Sequence, residues 1–251
     1  MQCYKINYFL GIINNIDQQY RIGISMNTIA MIVAAGRGRR AGGKIPKQYA
    51  IYKKIPMLSH TIKALLKSSK IDALLVVINP LDIKLYMDSI NDLNDLRLLK
   101  HCLGGKERTD SVKNGLKALE KYTPKNVIIH DAARPYVSIE LVHKLLNSLK
   151  TNNAVLPALP VVDAIWEKKF ETENNWHIRP GPDRSNLLLA QTPQAFDYKT
   201  ICSAYYQSQS HALDDIAIAY KAGIKISTIA GDPKNKKITS EEDLKFFKGK
   251  K

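Results

Sequence analysis

The sequence predicts an α/β fold in which a mostly parallel sheet carries helices on both faces. Short apolar runs alternate with amphipathic segments through most of the chain. The first run, Thr28 to Ala34, ends in a glycine-rich loop, which is typical of a buried parallel strand that leads into a ligand-binding loop. The length of 251 residues and the 45% hydrophobic content allow one large domain with a full core.

The other strands are predicted where a continuous apolar run ends at turn residues. These runs are Ala73 to Ile78, a weaker run Leu98 to Leu103, Asn126 to His130, Ala154 to Leu159, Leu187 to Ala190 and Lys225 to Ile229. Helices are predicted between the strands where apolar residues recur every three or four positions. These helical segments are Leu58 to Leu66, Val112 to Leu119, Leu141 to Leu149, Asp214 to Lys221 and a last helix from Ser240.

The alternation of strands and helices is interrupted between Val161 and Ser185. This stretch mixes Trp166 and Trp176 with charged residues and with the turn-rich segment RPGPD at 179–183. We expect it to form an arm that leaves the sheet, at about residues 161–185. Exposed aromatic side chains on such an arm more often pack against another surface than stay in water. The arm therefore predicts a homodimer in which it contacts the second subunit.

The net charge of +15 is compatible with nucleic acid, membranes or small phosphorylated substrates as partners. The lysines are spread along the chain and form no basic strip interleaved with aromatic residues, so we expect no nucleic-acid partner. Apolar stretches are too short to span a bilayer, so we expect no membrane partner. We assign part of the charge to the binding of anionic substrates.

Cysteine usage and the N-terminal residues both indicate a cytoplasmic protein. Cys3, Cys102 and Cys202 are odd in number and widely spaced, which fits neither a metal site nor a disulfide framework. The first residues contain a brief apolar patch but lack the basic start and the long apolar core of a signal peptide.

The loop after the first strand, AAGRGRRAGGKIPKQY from Ala34, is the predicted phosphate-binding element. Ligands bind at the carboxyl ends of strands in open α/β sheets, and glycines let the backbone N–H groups approach a phosphate. The loop also carries a cluster of cations: Arg37, Arg39, Arg40, Lys44 and Lys47. A flexible basic surface loop is the alternative interpretation, which its position at the functional edge disfavours.

Two common phosphate motifs almost fit this loop, and we reject both. Gly36, Gly38 and Ala41 match the dinucleotide pattern, but Pro46 falls where its helix should run and no acidic residue follows at the required distance. The segment GRRAGGKI resembles a P-loop, but Ile45 occupies the position that needs a hydroxyl for magnesium.

Five further segments accompany the loop in a fixed order. They are GGKERTDSV at 104–112, HDAARPY at 130–136, PDR at 182–184, TPQAF at 192–196 and NKKIT at 235–239. With AAGxGxR and PKQY, this set resembles the 2-C-methyl-D-erythritol 4-phosphate cytidylyltransferases of the non-mevalonate isoprenoid pathway. The resemblance runs from about Thr28 to Phe246. It implies a Rossmann-like nucleotidyltransferase fold with a protruding dimerisation arm, and transfer of CMP from CTP to the acceptor 2-C-methyl-D-erythritol 4-phosphate, with release of pyrophosphate.

The resemblance also implies the domain boundaries. Residues 28–251 would form the cytidylyltransferase domain, and residues 1–27 would be an N-terminal extension, either disordered or the product of an upstream start. The chain departs from the family in the arm, where a D-T-[apolar]-K stretch is usual and DAIW stands at 163–166. Ala164 removes a hydroxyl there, and Trp166 replaces a cation.

The resemblance assigns catalytic roles to four cations. Arg40 and Lys47 would contact the triphosphate and stabilise charge at the α-phosphorus. Lys237 would reach the reacting phosphates from the far end of the sheet. Arg184 would hold the phosphate of the acceptor, in its own site or in that of the neighbouring subunit; the alternative for Arg184 is a surface ion pair.

The resemblance further assigns two sets of binding residues. The nucleotide would be bound by Ala34, Ala35, Gly36, Gly38, Gly104, Gly105, Ser111 and Ala132. The acceptor would be bound by Asp131, Arg134, Arg184 and Thr192. Structural alternatives remain open for two of these side chains, because Asp131 could cap the helix after Pro135 and Ser111 could be an interior residue of its helix.

Magnesium is the expected cofactor because triphosphates react as metal complexes. The sequence shows no dense carboxylate cluster, and the phosphates themselves are expected to supply most of the ligands. Asp214 and Asp215 are adjacent and are either part of a metal site or the start of a helix. The histidines have no metal-binding spacing.

Three other functions compete with this interpretation. A ribitol 5-phosphate cytidylyltransferase would share the fold, but the PKQY and HDAARP segments favour the methylerythritol type. A sugar-1-phosphate nucleotidyltransferase that uses UTP or GTP would share the glycine loop but usually not GG-x-x-R-x-x-SV. A non-enzymatic nucleic-acid or anion-binding module is suggested by the net charge alone.

Overall fold

The computed structural model describes residues 26–36, 45–170, 176–208, 212–240, 242–243 and 245. Residues 1–25 of the predicted N-terminal extension and residues 37–44 of the glycine loop lie outside the described residues. Met26 is buried and belongs to the core, so the folded domain includes at least this residue of the predicted extension. Among the described residues, no helix combines the length and apolar character needed to cross a membrane.

The strands fall into one large sheet and two small pairs. In chain order they are β1 (Thr28–Ala34), β2 (Ile51–Tyr52), β3 (Ile55–Pro56), β4 (Ala73–Ile78), β5 (Cys102–Leu103), β6 (Asn126–Asp131), β7 (Ala154–Pro160), β8 (Trp166–Phe170), β9 (Trp176–Pro180), β10 (Leu188–Ala190), β11 (Gln194–Asp197) and β12 (Ser227–Ala230). Among the described residues, the central sheet has eight strands: seven follow the order β10-β7-β11-β6-β1-β4-β5, and β12 also pairs with β7. β2 pairs with β3, and β8 pairs with β9, outside this sheet.

The sheet is mostly parallel, as predicted. β1 pairs in parallel with both β4 and β6, β4 with β5, and β7 with β12. β10 and β11 are antiparallel, and β11 lies between β6 and β7. The carboxyl ends of β1, β4, β5 and β6 consequently meet at one edge of the sheet.

Helices cover both faces of the sheet. They are α1 (Met57–Leu66), α2 (Ile83–Ile90), α3 (Arg108–Leu119), α4 (Ile139–Ser148), α5 (Tyr198–Gln207) and α6 (Asp215–Lys221). Side chains alternate along β1, so that Ile32 packs into the core with α1, α2 and α4 while Met31 packs into the core with α3, α5 and α6. This two-sided burial explains why β1 and β4 are continuous apolar runs.

Several elements differ from the prediction. Only Cys102–Leu103 of the predicted strand 98–103 pairs as a strand, while Leu98 makes an isolated bridge to Leu74. Leu98 and Leu99 are buried in the core, so their apolar character reflects packing more than ladder formation. β11, α2 and α5 were not predicted, and β12 begins two residues later than expected. β11 has only four residues and follows a proline, which leaves too little alternation to recognise.

The arm is a hairpin that stands apart from the central sheet. β8 and β9 pair in antiparallel fashion, with Trp166 opposite Pro180, and residues 171–175 between them lie outside the described residues. Trp166 and Ile178 are 55% and 57% exposed. The contact of this arm with a second subunit stays a prediction.

The predicted start of the last helix at Ser240 has the hydrogen bonds of a helix cap. The Ser240 hydroxyl accepts from the N–H of Asp243 at 3.0 Å, and the Asp243 carboxylate accepts from the N–H of Ser240 at 3.0 Å. Such reciprocal bonds satisfy N–H groups that a helix leaves unpaired at its start. Most of the residues beyond lie outside the described residues.

Candidate functional site

A cleft of about 770 Å³ lies at the carboxyl edge of the sheet, where β1, β4 and β6 end. This size is typical of a site for a small-molecule ligand. The ends of the strands and the segments that follow them form its walls. The lining residues are Val33, Ala34, Ala35, Gly36, Lys47, Gln48, Asn79, Gly105, Lys106, Glu107, Arg108, Ser111, Asp131, Ala132, Ala133, Lys237 and Thr239.

The structure brings most of the predicted nucleotide-binding residues together in this cleft. Ala34, Ala35, Gly36, Gly105, Ser111 and Ala132 line it directly. Gly104 lies against the same wall, because a Cβ at this position would be only 2.5 Å from the Cβ of Ala35. The absence of a side chain at Gly104 therefore permits the close approach of the two loops. Gly38 lies outside the described residues.

Ser111 holds the glycine loop in place from within α3. Its hydroxyl accepts from the N–H of Gly105 at 3.1 Å and donates to the carbonyl of Glu107 at 3.0 Å. Ser111 is buried, so the structural alternative of an interior helix residue describes its position well. Ser111 also lines the cleft, which is compatible with the predicted contact with the nucleotide, and that contact stays a prediction.

Gln48 was missed as a site residue although it lies in the PKQY segment. Its side-chain N–H₂ group donates to the carbonyls of Ala34 and Gly36, both at 2.8 Å. Gln48 is buried beneath the loop, and its two bonds fix the direction in which the backbone leaves β1. The signal in the sequence was an amide side chain at position 48 among basic loop residues. A neutral amide can be buried and donate two hydrogen bonds, whereas burying the charged ammonium group of a lysine there would cost much more free energy.

Lys47 and Lys237 approach the cleft from the same wall. The Nζ of Lys47 donates to the carbonyl of Ile238 at 2.9 Å. Ile238 in turn donates its N–H to the carbonyl of Ala133 at 2.9 Å, which ties the segment with Lys237 to the loop after β6. Two cations that are distant in the sequence are thereby held at one site. Arg40, the third predicted cation of this site, lies outside the described residues.

Asp131 is a carboxylate of the cleft that lies among several cations. Its Oδ2 lies 2.7 Å from the Nζ of Lys237 and 3.9 Å from the Nε of Arg134, and its Oδ1 lies 3.8 Å from an amino nitrogen of Arg108. Burial alone would raise the pKa of Asp131, but these three cations outweigh burial and hold the pKa well below its usual range. Asp131 is therefore ionised across the physiological range. It caps no helix, since Ser138 caps α4.

His130 and Thr192 are buried next to Asp131 and fix its position by hydrogen bonds. The Thr192 hydroxyl accepts from the N–H of Asp131 at 3.1 Å and lies 3.1 Å from the Nδ1 of His130. The Nε2 of His130 lies 3.0 Å from the carbonyl of Arg134. Burial lowers the pKa of His130 to about 4, so the imidazole is neutral at pH 7 and bridges the two ends of the turn that presents Asp131.

This neutral histidine predicts a loss of stability in mild acid. The unfolded chain binds a proton at His130 below about pH 6.5, whereas the folded chain does so only near pH 4, so stability falls as the pH drops through this window. The shift corresponds to about 2 kcal/mol lost between pH 7.5 and pH 5. We expect urea unfolding of the wild type and of His130→Gln to show this difference in pH dependence. Equal slopes for the two proteins would contradict the assignment.

The remaining acceptor-side residues occupy two different places. Arg134 and Thr192 are buried beside Asp131, and Arg134 donates to the carbonyl of Asn235 at 2.8 Å. Neither lines the cleft, so their contact with a substrate stays a prediction. Arg184 is exposed at the base of the arm, donates to the carbonyl of Val162 and does not line the cleft.

A second missed residue is Arg108, the arginine of the GGKER segment. It is the first residue of α3 and lines the cleft. Its guanidinium makes two hydrogen bonds with the carboxylate of Asp215, at 2.8 and 2.7 Å. Asp214 accepts from the N–H of Ala217 at 2.9 Å, so the Asp214–Asp215 pair is the start of a helix rather than a metal site.

The described residues do not form a protein cage for magnesium. Among them, no group of three or more histidine, cysteine, aspartate or glutamate side chains lies close enough together to hold a metal ion. Two carboxylates line the described cleft, those of Glu107 and Asp131, and Asp131 is already engaged by Lys237. Magnesium therefore stays a prediction, with the phosphates of a nucleotide expected to supply most of its ligands.

Comparisons with known protein sequences point to one family. The sequence model of the 2-C-methyl-D-erythritol 4-phosphate cytidylyltransferases matches residues 28–248. A protein of that name from Cereibacter sphaeroides is 37% identical over 219 residues, which cover 87% of this chain and 94% of the relative. The bifunctional enzyme IspD/IspF of Pelagibacter ubique is 37% identical over 221 residues, which cover 88% of this chain. The chain spans only 57% of the length of that bifunctional relative.

Solved structures give the same picture. The structure of 4-diphosphocytidyl-2C-methyl-D-erythritol synthase from Anaerococcus prevotii superposes with a TM-score of 0.74 at 28% identity. The superposition covers 89% of this chain and 97% of that one. The central sheet and its helices are thus shared with these nucleotidyltransferases.

Proposed function

Because this chain belongs to the 2-C-methyl-D-erythritol 4-phosphate cytidylyltransferase family, we propose that it transfers CMP from CTP to 2-C-methyl-D-erythritol 4-phosphate. The products would be 4-diphosphocytidyl-2-C-methyl-D-erythritol, an intermediate of non-mevalonate isoprenoid precursor synthesis, and pyrophosphate. The observation that supports this most directly is the convergence of Lys47, Lys237 and Asp131 on one cleft at the ends of β1 and β6.

The reaction is a displacement at phosphorus. An oxygen of the acceptor phosphate attacks the α-phosphorus of CTP, and the bond from that phosphorus to the oxygen bridging to the β-phosphate breaks. Pyrophosphate leaves with the electron pair of that bond. The attacking phosphate is already ionised at neutral pH, so no general base is needed. The task of the protein is to bring two anions together in line and to stabilise the charge of the transition state.

Lys47 and Lys237 would perform the electrostatic part of this task. Both side chains lie at the wall formed by residues 237 and 238, and Lys47 is fixed there by its bond to the Ile238 carbonyl. Ammonium groups held in place before the reaction stabilise developing charge without reorganisation. Arg40 is proposed to act with them from the glycine loop, on the strength of the resemblance alone.

The nucleotide would be recognised mainly by backbone groups. The ends of β1 and β4 and the loop at Gly105 line the cleft, and the two loops meet closely where Gly104 approaches Ala35. A flat base bound against these loops would be selected by the positions of N–H and C=O groups rather than by charge. We place the cytosine there.

The acceptor would bind at the Asp131 end of the cleft. An ionised carboxylate accepts hydrogen bonds from hydroxyl groups, which suits a polyol phosphate. Arg134 and Thr192 would support Asp131 in this role through the turn that they fix. Arg184 is proposed to bind the acceptor phosphate in the site of the second subunit.

We also propose that the protein is a cytoplasmic homodimer. Trp166 and Ile178 on the hairpin, together with Leu188 and Leu189 on β10, leave large apolar side chains exposed, as expected of a surface that another chain covers. Cys102 and Cys202 are free thiols, in keeping with a reducing compartment. Sedimentation at micromolar concentration should report a dimer. A monomer at these concentrations would contradict the proposed subunit contact.

Magnesium is proposed to enter with CTP. When bound to the triphosphate it would neutralise phosphate charge and favour the departure of pyrophosphate. Among the described residues, the carboxylates that line the cleft are those of Glu107 and Asp131.

The proposal is tested by pyrophosphate release with CTP and each candidate acceptor in turn. We expect release with 2-C-methyl-D-erythritol 4-phosphate and little with ribitol 5-phosphate, and CTP should be preferred over UTP and GTP. Turnover of ribitol 5-phosphate without turnover of the methylerythritol compound would refute the proposed acceptor. Salt-sensitive DNA binding without any nucleotide turnover would refute an enzymatic role.

A further inference from the structure

Arg108 is a cleft residue whose direction is set by a partner far away in the sequence. Its guanidinium donates from both amino groups to the two carboxylate oxygens of Asp215, at 2.8 and 2.7 Å. Asp215 has no exposed side-chain surface, whereas the Arg108 side chain keeps 27% of its surface exposed toward the cleft. A two-point bond of this kind fixes both the position and the plane of the guanidinium.

Asp215 is itself held rigidly. The hydroxyl of Tyr205 donates to its Oδ1 at 2.5 Å. Its backbone N–H and that of Ile216 both donate to the side-chain carbonyl of Gln194, at 3.1 and 3.0 Å. Gln194 belongs to β11, which pairs directly with β6 beside Ile129. The backbone of Asp215 is therefore anchored to β11, the strand next to the one that carries Asp131 at its end.

The free side of Arg108 faces the acceptor end of the cleft. One of its amino nitrogens lies 3.8 Å from the Oδ1 of Asp131, while Lys237 contacts the other oxygen at 2.7 Å. An amino group of arginine carries two hydrogens, and Asp215 uses one from each group. The second hydrogen of this amino group is left for Asp131 or for a ligand oxygen next to it.

We propose that Asp215 is a positioning residue, which aims Arg108 at Asp131 so that Arg108 and Lys237 together orient the Asp131 carboxylate toward the acceptor. Arg108 is then a specificity-determining residue on the acceptor side. Asp215 never touches a substrate and acts only through Arg108. This inference rests on the proposed function for the identity of the acceptor, but the geometry applies to any polyol phosphate bound at Asp131.

The alternative role of the Arg108–Asp215 pair is purely structural, since it links the start of α3 to the start of α6. Both roles predict a loss of stability when one partner is removed, because an unpaired charge remains in a largely buried place. Only the positioning role predicts that the kinetic damage is confined to the acceptor. Only that role also predicts that the two residues act as one unit in the kinetics.

The test is a double-mutant cycle with Asp215→Asn, Arg108→Gln and the combined variant, in which both partners are neutral. We expect each single variant to lower kcat/KM for the acceptor by roughly tenfold to a hundredfold while the KM for CTP changes by less than about threefold. The combined variant should be no worse than Arg108→Gln alone, because Asp215 has no further role once the guanidinium is gone. Tyr205→Phe should produce a smaller loss in kcat/KM for the acceptor. This variant replaces the single charge-removing variants as the test if those variants do not fold.

The ion pair of Asp95 and Arg97 provides a matched control. An amino nitrogen of Arg97 lies 2.8 Å from the Oδ2 of Asp95, and neither residue lines the cleft. Asp95→Asn should leave kcat/KM within about twofold of the wild type, as expected for a change that touches no substrate. The inference is overturned if folded Asp215→Asn keeps normal acceptor kinetics, if its loss multiplies with that of Arg108→Gln, or if the damage falls on CTP. A failure of the proposed function is distinguished from a failure of this inference by the wild-type assay. If the wild type turns over a different acceptor, the proposed acceptor is wrong, and the double-mutant cycle is then measured with the acceptor that is used.

Discussion

Replacing Lys47 with alanine is expected to lower kcat by about a hundredfold to a thousandfold, the usual effect of removing one fixed charge-stabilising group from an active site. The Nζ of Lys47 is held 2.9 Å from the carbonyl of Ile238 at the wall of the cleft. Its role lies in the charge that develops during transfer, so the change should appear in kcat more than in the KM for CTP. Stopped or continuous assays of pyrophosphate release measure both parameters.

The control for this experiment is Lys63→Ala, which removes an exposed lysine from α1 outside the cleft. Its turnover should match that of the wild type, so that a general effect of net charge is excluded. Circular dichroism should show that Lys47→Ala remains folded. A folded variant with near-normal turnover would remove Lys47 from catalysis. Arg40→Ala is expected to behave like Lys47→Ala, on the strength of the resemblance.

Replacing Lys237 with alanine is expected to have an effect of similar size, about a hundredfold or more on kcat/KM for the acceptor. Two causes add here. The variant loses a cation at the reacting phosphates, and it releases Asp131, whose Oδ2 lies 2.7 Å from the Nζ of Lys237. Without this partner the pKa of Asp131 should rise toward its ordinary range, since Lys237 is the largest of the favourable charges that act on it.

Lys236 provides the matched control in the adjacent position. It pairs with Asp243 at 2.9 Å and does not line the cleft. Lys236→Ala should therefore keep turnover within about threefold of the wild type, as surface ion pairs contribute little. Equal losses of turnover in Lys236→Ala and Lys237→Ala would indicate that this segment contributes to folding and that Lys237 has no separate role in the reaction. Normal turnover of Lys237→Ala would contradict the proposed role directly.

The sequence allowed the fold to be predicted where burial imposes a pattern. β1, β4 and β6 are buried on both faces, so their apolar runs mark them almost to the residue. β11 was not predictable in this way, because a strand of four residues after a proline gives no recognisable period. It matters nonetheless, since it carries Gln194 between β6 and β7 and so anchors Asp215.

The site was predictable where its residues lie in short segments next to strand ends. Lys47, Asp131 and Ser111 are all found in the cleft for that reason. The pairing of Arg108 with Asp215 was not predictable from the sequence. The two residues are 107 positions apart, and their bond forms only when α3 and α6 pack on the same face of the central sheet. A pair of adjacent aspartates before a helix gave no sign of which one would be buried.

The most direct test of the proposed function is identification of the product by ³¹P NMR after incubation with CTP, magnesium and 2-C-methyl-D-erythritol 4-phosphate. Transfer of CMP to the acceptor phosphate creates a P–O–P link between two different organic groups. We predict two mutually coupled phosphorus signals from this diphosphate diester, together with a stoichiometric signal from pyrophosphate, and their loss in Lys47→Ala. Signals from unchanged CTP and acceptor alone, with the folded wild-type protein, would contradict the account.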